Sequence, residues 1–184
     1  MRVEIEWRRL DEPAVEHATM SSDADGQILA GVVEGTTDHR AYRIRYTVRC
    51  TADWMTRRAT VQGNIGDEQV DLEIGRTETG AWTLNGAPQH QIDRCVDVDL
   101  GFSPITNTLA IRRLNLDVGR AAIVRAAWLR FPDLAFQVLE QRYERVGESR
   151  YIYESDNGRF RAELEVDAEG IVVRYDRYWI GSVR

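Results

Sequence analysis

Tyr42-Arg43-Ile44-Arg45-Tyr46-Thr47-Val48-Arg49 alternates strictly over its whole length. A β-strand turns successive side chains to opposite faces, so Tyr42, Ile44, Tyr46 and Val48 share one face, and Arg43, Arg45, Thr47 and Arg49 share the other. On a helix the same order would scatter the apolar residues around the axis. The stretch predicts a strand that buries an aromatic-aliphatic face and presents an arginine-rich one.

The same period recurs on both sides. Val3, Ile5 and Trp7 alternate with Arg2, Glu4 and Glu6, which predicts an N-terminal strand. The segment from Asp11 to Gly26 lacks a sustained period, and Ser21 to Gly26 reads as a loop. Ile28 to Val33, interrupted by Gly31 and closed by Gly35, reads as a strand with a bulge or bend. Downstream, Thr56 to Val61 leads to a turn at Gly63-Asn64-Ile65-Gly66. Val70, Leu72 and Ile74 form the next apolar face, and Trp82 and Leu84 end at the turn pair Asn85-Gly86. Ala122 to Phe131 is apolar on both faces apart from Arg125 and Arg130, as a central buried strand would be. Leu134 to Val146, Tyr151 with Tyr153, Phe160 to Val166 and Ile171 to Tyr175 continue the series.

No stretch of ten residues places apolar side chains at helical spacing. Strongly twisted sheets curl or close at about ten strands. The expected fold is all-β: a curled antiparallel sheet forming a barrel or half-barrel of about twelve or more strands, with little helix, in a single domain over residues 1–184. A loosely repeated plan, with Gly-Ala-Trp82 in one half and Gly-Arg-Phe160 in the other, suggests an internal duplication.

Composition narrows the function. The chain has 184 residues and a net charge of −6, with 43% hydrophobic and 29% charged residues, which is ordinary for a globular domain. All 24 basic residues are arginine and none stands in a run longer than two, so a basic face for displacing phosphate counterions is absent and nucleic acid is not an expected partner. No apolar run reaches membrane-span or secretory length, so the expected protein is not membrane-spanning and is cytoplasmic. His17, His39 and His90 lack ligand spacing, and Cys50 and Cys95 read as buried thiols; no metal or cofactor is expected.

The richest chemistry lies in Cys95–Leu114. Val96, Val98 and Leu100 form an apolar strand face and Cys95, Asp97 and Asp99 the opposite one; after Gly101, Ser103-Pro104 reads as the cap and first position of a short helical turn or as a tight loop. Thr106-Asn107-Thr108 and Arg112-Arg113 follow.

Asp97-Val98-Asp99-Leu100-Gly101-Phe102-Ser103-Pro104-Ile105-Thr106-Asn107-Thr108-Leu109 with Ile111-Arg112-Arg113-Leu114 resembles the signature of the bacterial putative glycolipid-binding proteins, formerly a family of unknown function. Arg43 to Tyr46, Asp53-Trp54 and Thr56-Arg57-Arg58 upstream, and Asp167 to Val173 with Tyr175 downstream, are similar to its flanking blocks, so the resemblance covers nearly the whole chain. Ala110 departs from it where the family favours proline in what reads as a loop. The family's name rests on likeness to lipid carriers, and the resemblance implies a glycolipid or other amphipathic small molecule as partner.

Asp97 and Asp99, about 7 Å apart along one strand face, admit three roles: pairing with arginines at Arg43, Arg45 or Arg112-Arg113, contact with a polar ligand group, or catalysis. Ser103 lacks a nucleophile elbow and a neighbouring histidine. The aromatic residues fit either a packed core or a cavity whose walls have apolar bodies and polar tips. The expected ligand-binding set is Tyr42, Arg43, Arg45, Tyr46, Asp97, Asp99, Asn107, Arg112, Trp128 and Tyr175. The expected function is non-catalytic binding of an amphipathic molecule; the alternatives are a carbohydrate- or lipid-processing enzyme using Asp97 or Asp99, and an interaction scaffold without a cavity.

Overall fold

The computed structural model describes residues 2–184. Six strands open the chain: β1 Arg2–Arg9, β2 Ala14–Asp23, β3 Gly26–Thr37, β4 Arg40–Cys50, β5 Thr56–Ile65 and β6 Glu68–Arg76. Two short ones, β7 Trp82–Leu84 and β8 Ala87–Pro88, end the first half. The second half comprises β9 Asp97–Leu100, helix α1 Asn107–Leu114, β10 Ala121–Leu129, β11 Phe136–Arg145, β12 Arg150–Ser155, β13 Phe160–Val166, β14 Val172–Tyr175 and β15 Trp179–Val183. Strand accounts for 60% of residues and helix for 9%, so the all-β expectation holds.

All fifteen strands form one sheet in the order β8 to β1, then β15 down to β9. The terminal strands β1 and β15 are therefore neighbours, paired from Ile5 opposite Val183 to Arg9 opposite Trp179. Every pairing is antiparallel except β9 with β10, which run parallel because α1 carries the chain back between them. That crossover has no counterpart among β1–β8, so the halves differ in topology. The sheet curls without closing. Its edge strands, β8 and β9, do not pair with each other, and β9 with the residues just before it is tied to β5 and β7 at single points: Thr56 N–H donates to Val96 O at 3.3 Å, the Thr56 hydroxyl accepts from Val98 N–H at 3.0 Å, and the Trp82 indole donates to Cys95 O at 3.1 Å.

The alternation in β4 survives intact. Tyr42, Ile44, Tyr46 and Val48 are buried and Arg43, Arg45 and Arg49 exposed. Both tyrosines need space that β3 supplies, since Gly31 lies opposite Tyr46 and Gly35 opposite Tyr42. A Cβ on Gly31 would stand 2.6 Å from the Tyr46 hydroxyl oxygen, and one on Gly35 2.8 Å from that of Tyr42. Gly31 and Gly35 thus continue the strand where a bend was expected, with β3 running on to Thr37.

Four other expectations are corrected. The segment without a period contains β2, whose buried face is Ala14, Glu16, Ala18 and Met20; a carboxylate and two small residues inside, with Val15 outside, erase the hydrophobic alternation. The Gly63 turn is strand, since β5 continues to Ile65; at φ +148°, a Cβ on Gly63 would meet Arg43 O at 1.9 Å. β10 is the penultimate strand and not a doubly covered one, leaving Ile123 63% exposed. Ala110 lies in α1, 1% exposed, where proline would remove a helical N–H.

The helix is enclosed by the sheet. Leu109 joins the main core cluster with Leu29, Ile44, Val61 and Trp82, while Ala110 and Ile111 join a second cluster with Tyr143, Tyr151 and Tyr153. Ser103 caps the preceding turn, its hydroxyl accepting from Ile105 N–H at 3.2 Å ahead of Pro104, and Asn115 closes α1 at a left-handed φ of 41°.

Candidate functional site

A cleft of about 560 Å³ opens between β9, the start of α1 and the strands of the second half. Its floor begins where β9 ends, at Asp99, Leu100 and Gly101, and continues through Ser103, Pro104 and Asn107. Six aromatic rings line it: Trp128 from β10, Tyr153 from β12, Phe160 from β13, Tyr175 from β14, Tyr178 in the turn that follows, and Trp179 from β15. Arg9, the last residue of β1, and Asp11 just beyond it complete the cleft on one side.

Four of the rings pack as a unit. Centroids of Tyr153 and Tyr175 lie 6.0 Å apart, of Phe160 and Tyr175 6.3 Å, of Phe160 and Tyr178 5.6 Å, and of Tyr175 and Tyr178 6.0 Å. Most contacts are edge-to-face, with Tyr175 and Tyr178 at 85°, an arrangement the ring quadrupole favours over face-to-face stacking. β-strand alternation explains the convergence: Tyr151 and Tyr153 of β12 point inward, and Tyr175 stands opposite Leu164 and Trp179 in the ladder.

The two aspartates of β9 have separate fates. Asp97 is 2% exposed and held by Arg113 from the last turn of α1, which donates through Nε at 3.1 Å to one carboxylate oxygen and through Nη2 to the other. Burial pushes its pKa up while Arg113 pulls it down, and burial prevails. Asp97 does not line the cleft. Asp99 does, retaining part of its surface there. It accepts from Gln141 Nε2 at 2.5 Å, and Gln141 also donates to the Tyr153 hydroxyl at 3.0 Å. Burial, with Asp97 nearby, raises the Asp99 pKa to about 6.

Behind the cleft sits a group that sequence reading passed over. Glu16 of β2 is fully buried; Tyr46 donates its hydroxyl to Oε1 and Ser103 donates to the same oxygen at 2.6 Å. Oε2 has no hydrogen-bond partner among the described residues. Burial raises this carboxyl to about 7. The available signal was a lone Glu at the centre of Ala14, Glu16, Ala18 and Met20, a spacing readable only once β2 is known to be a strand.

Of the residues read from the sequence, the cleft unites Asp99, Asn107, Trp128 and Tyr175. Tyr42 and Tyr46 lie in the core, against Phe131 and Phe102. Arg43 and Arg45 project from the outer face of the sheet, Arg43 pairing with Glu34 at 2.6 Å. Arg112 lines a separate cleft of about 360 Å³, its guanidinium 5.2 Å over the Trp54 ring. Tyr153, Phe160, Tyr178 and Trp179 join the cleft through strand pairings across the second half.

A family model described as putative glycolipid-binding matches residues 4–180. Among solved structures, a DUF1089 family protein from Pseudomonas aeruginosa is similar at 30% identity, with a TM-score of 0.79 and 88% of each chain covered. A β-barrel-like protein of domain family DUF1849 from Brucella abortus shares the fold at a TM-score of 0.56 and 10% identity, covering 100% of this chain and 95% of its own. No curated protein matches the sequence.

Proposed function

The chain belongs to the putative glycolipid-binding family, and on that premise we propose that it binds an amphipathic small molecule of glycolipid type in the aromatic cleft, without acting on it chemically. The observation that carries this reading is the joining, within one cavity, of six aromatic rings with the polar group formed by Asp99, Ser103 and Asn107. An apolar chain lies along rings and aliphatic side chains such as Val138 and Leu139, and a sugar presents hydroxyls to the carboxylate and amide. Tyrosine and tryptophan suit this division because each offers an apolar body and a polar tip. The site residues in this proposal are Asp99, Asn107, Trp128 and Tyr175, together with Tyr153, Phe160, Tyr178 and Trp179.

Titration with alkyl glucosides of increasing chain length, below their micelle concentrations, tests it through tryptophan emission. Each methylene buried contributes about 0.8 kcal/mol, so affinity rises roughly fourfold per carbon until the cleft is full. Emission shifts to the blue as Trp128, which is only partly buried, loses water. No saturable binding at any chain length removes this reading. The enzymatic alternative is favoured by one observation, the raised pKa of Asp99 in an open cleft; it requires product release from a glycoside or ester, abolished in Asp99→Asn.

A further inference from the structure

We propose that the headgroup accepted by this cleft carries a positive charge, an ammonium group held against Asp99 and the surrounding aromatic faces; this rests on the amphiphile reading above and specifies its ligand. The charges on the cleft wall lead to it. Four ionisable side chains other than tyrosine line the cavity: Arg9, Asp11, Asp99 and Asp156. Arg9 is already committed, its Nε 2.8 Å from Asp11 and its Nη1 3.3 Å from Glu12, with its guanidinium 5.7 Å over the Trp179 ring. Asp156 has Arg159 at 3.8 Å. Asp99 alone is left with a neutral partner, the Gln141 amide.

The groups facing Asp99 deepen the imbalance. Asp97 stands two residues away on the same strand, but Arg113 is engaged with Asp97. Tyr143, Tyr153 and Tyr175 approach from β11, β12 and β14, and burial, with the negative charge at Asp99 adding to it, raises the pKa of each of their hydroxyls. No cationic side chain among the described residues offsets that charge. A buried carboxylate with no counter-ion is unfavourable, and a ligand cation that supplies one gains the attraction without bringing a second anion into the cleft.

The walls add a second attraction of the same sign. Cations are drawn to the faces of aromatic rings, by about 0.5–1 kcal/mol at exposed sites and 2 or more where water is excluded. Here Tyr153, Phe160, Tyr175 and Tyr178, packed mostly edge-to-face, all line the cleft that Asp99 opens into. Phosphate and sulfate headgroups meet the opposite conditions, an uncompensated carboxylate and the negative ring faces.

The test compares decyltrimethylammonium, decyl glucoside and decyl phosphate at pH 7.5, each below its micelle concentration, by tryptophan fluorescence and calorimetry. The expected order is ammonium tightest, by at least about tenfold over the glucoside, equivalent to 1.4 kcal/mol, with the phosphate weakest. Asp99→Asn, which keeps an acceptor for Gln141, removes the ammonium preference, bringing the ammonium and glucoside affinities to within about twofold of each other. Asp71→Asn, on the exposed outer face of β6, controls for general attraction of cations to an acidic protein and leaves the ranking unchanged. Equal or tighter binding of the glucoside or phosphate, or equal loss in the Asp99 and Asp71 variants, overturns the charged-headgroup inference while the amphiphile reading stands. Failure of all three probes to saturate overturns both. The ranking uses the wild-type chain alone and decides the matter even if Asp99→Asn does not fold.

Discussion

Glu16→Gln isolates the cost of the carboxyl behind the cleft. Glu16 has no exposed surface, two hydroxyl donors on one oxygen and none on the other, and its pKa is raised by burial to about 7. In the unfolded chain the same group titrates near its ordinary value of 4.5. Between these two values the folded protein holds a proton that the unfolded chain has released. Stability is therefore fully present below the unfolded pKa and is lost as pH rises through the folded one. Each pKa unit is worth 1.36 kcal/mol, and the interval between pH 5 and pH 8 spans most of the shift, so Glu16 lowers wild-type stability across it by about 2.5 kcal/mol. Glutamine does not titrate. Its carbonyl can accept from both Tyr46 and Ser103, so the fold keeps its contacts. Urea unfolding at pH 5, 6, 7 and 8 and constant ionic strength, followed by tryptophan fluorescence, measures the difference in slope. Asp99, raised in the same direction, titrates in both proteins and cancels. Stability curves for wild type and Glu16→Gln that run parallel from pH 5 to pH 8 would refute the reasoning.

Asp97→Ala removes both carboxylate oxygens from Arg113, whose side chain keeps only 19% of its surface, and leaves that guanidinium without its partner. Stability should fall by about 3 kcal/mol, lowering the melting temperature by roughly 6–12 °C for a chain of this size, whereas Asp71→Ala on an exposed strand face should change stability by less than about 0.5 kcal/mol; equal melting temperatures would contradict this. The thiols of Cys50 and Cys95 are pushed up by burial, to about 12 and about 11. Both should resist iodoacetamide at pH 8 in the native protein and react together after denaturation, and rapid native alkylation of either would show that it reaches solvent.

Local alternation was enough to establish the all-β class, the inward face of β4, the N-terminal strand and the low helix content, because strand period depends only on which way successive residues point. The Ser103-Pro104 start of the helical turn was legible for a similar reason, capping being a matter of adjacent residues. The hydroxyl and amide groups that would give an aromatic residue a role were visible in type but not in place. Trp128 and Tyr175 meet Asp99 in the cleft, and Tyr42 and Tyr46 do not, although all four lie on strands. Which aromatic faces a cavity depends on how far the sheet curls and on where α1 fills it, and these are long-range consequences of pairing β1 with β15 and β9 with β10. The same holds for charge. Two aspartates one strand-period apart are equivalent in the sequence; the return of the chain through α1 delivers Arg113 to Asp97 and leaves Asp99 with only a glutamine. Glu16 was hidden altogether, since a buried acid in a strand of small residues carries no hydrophobic period, and only the folded sheet brings Tyr46 and Ser103, from β4 and the turn before α1, to its one satisfied oxygen.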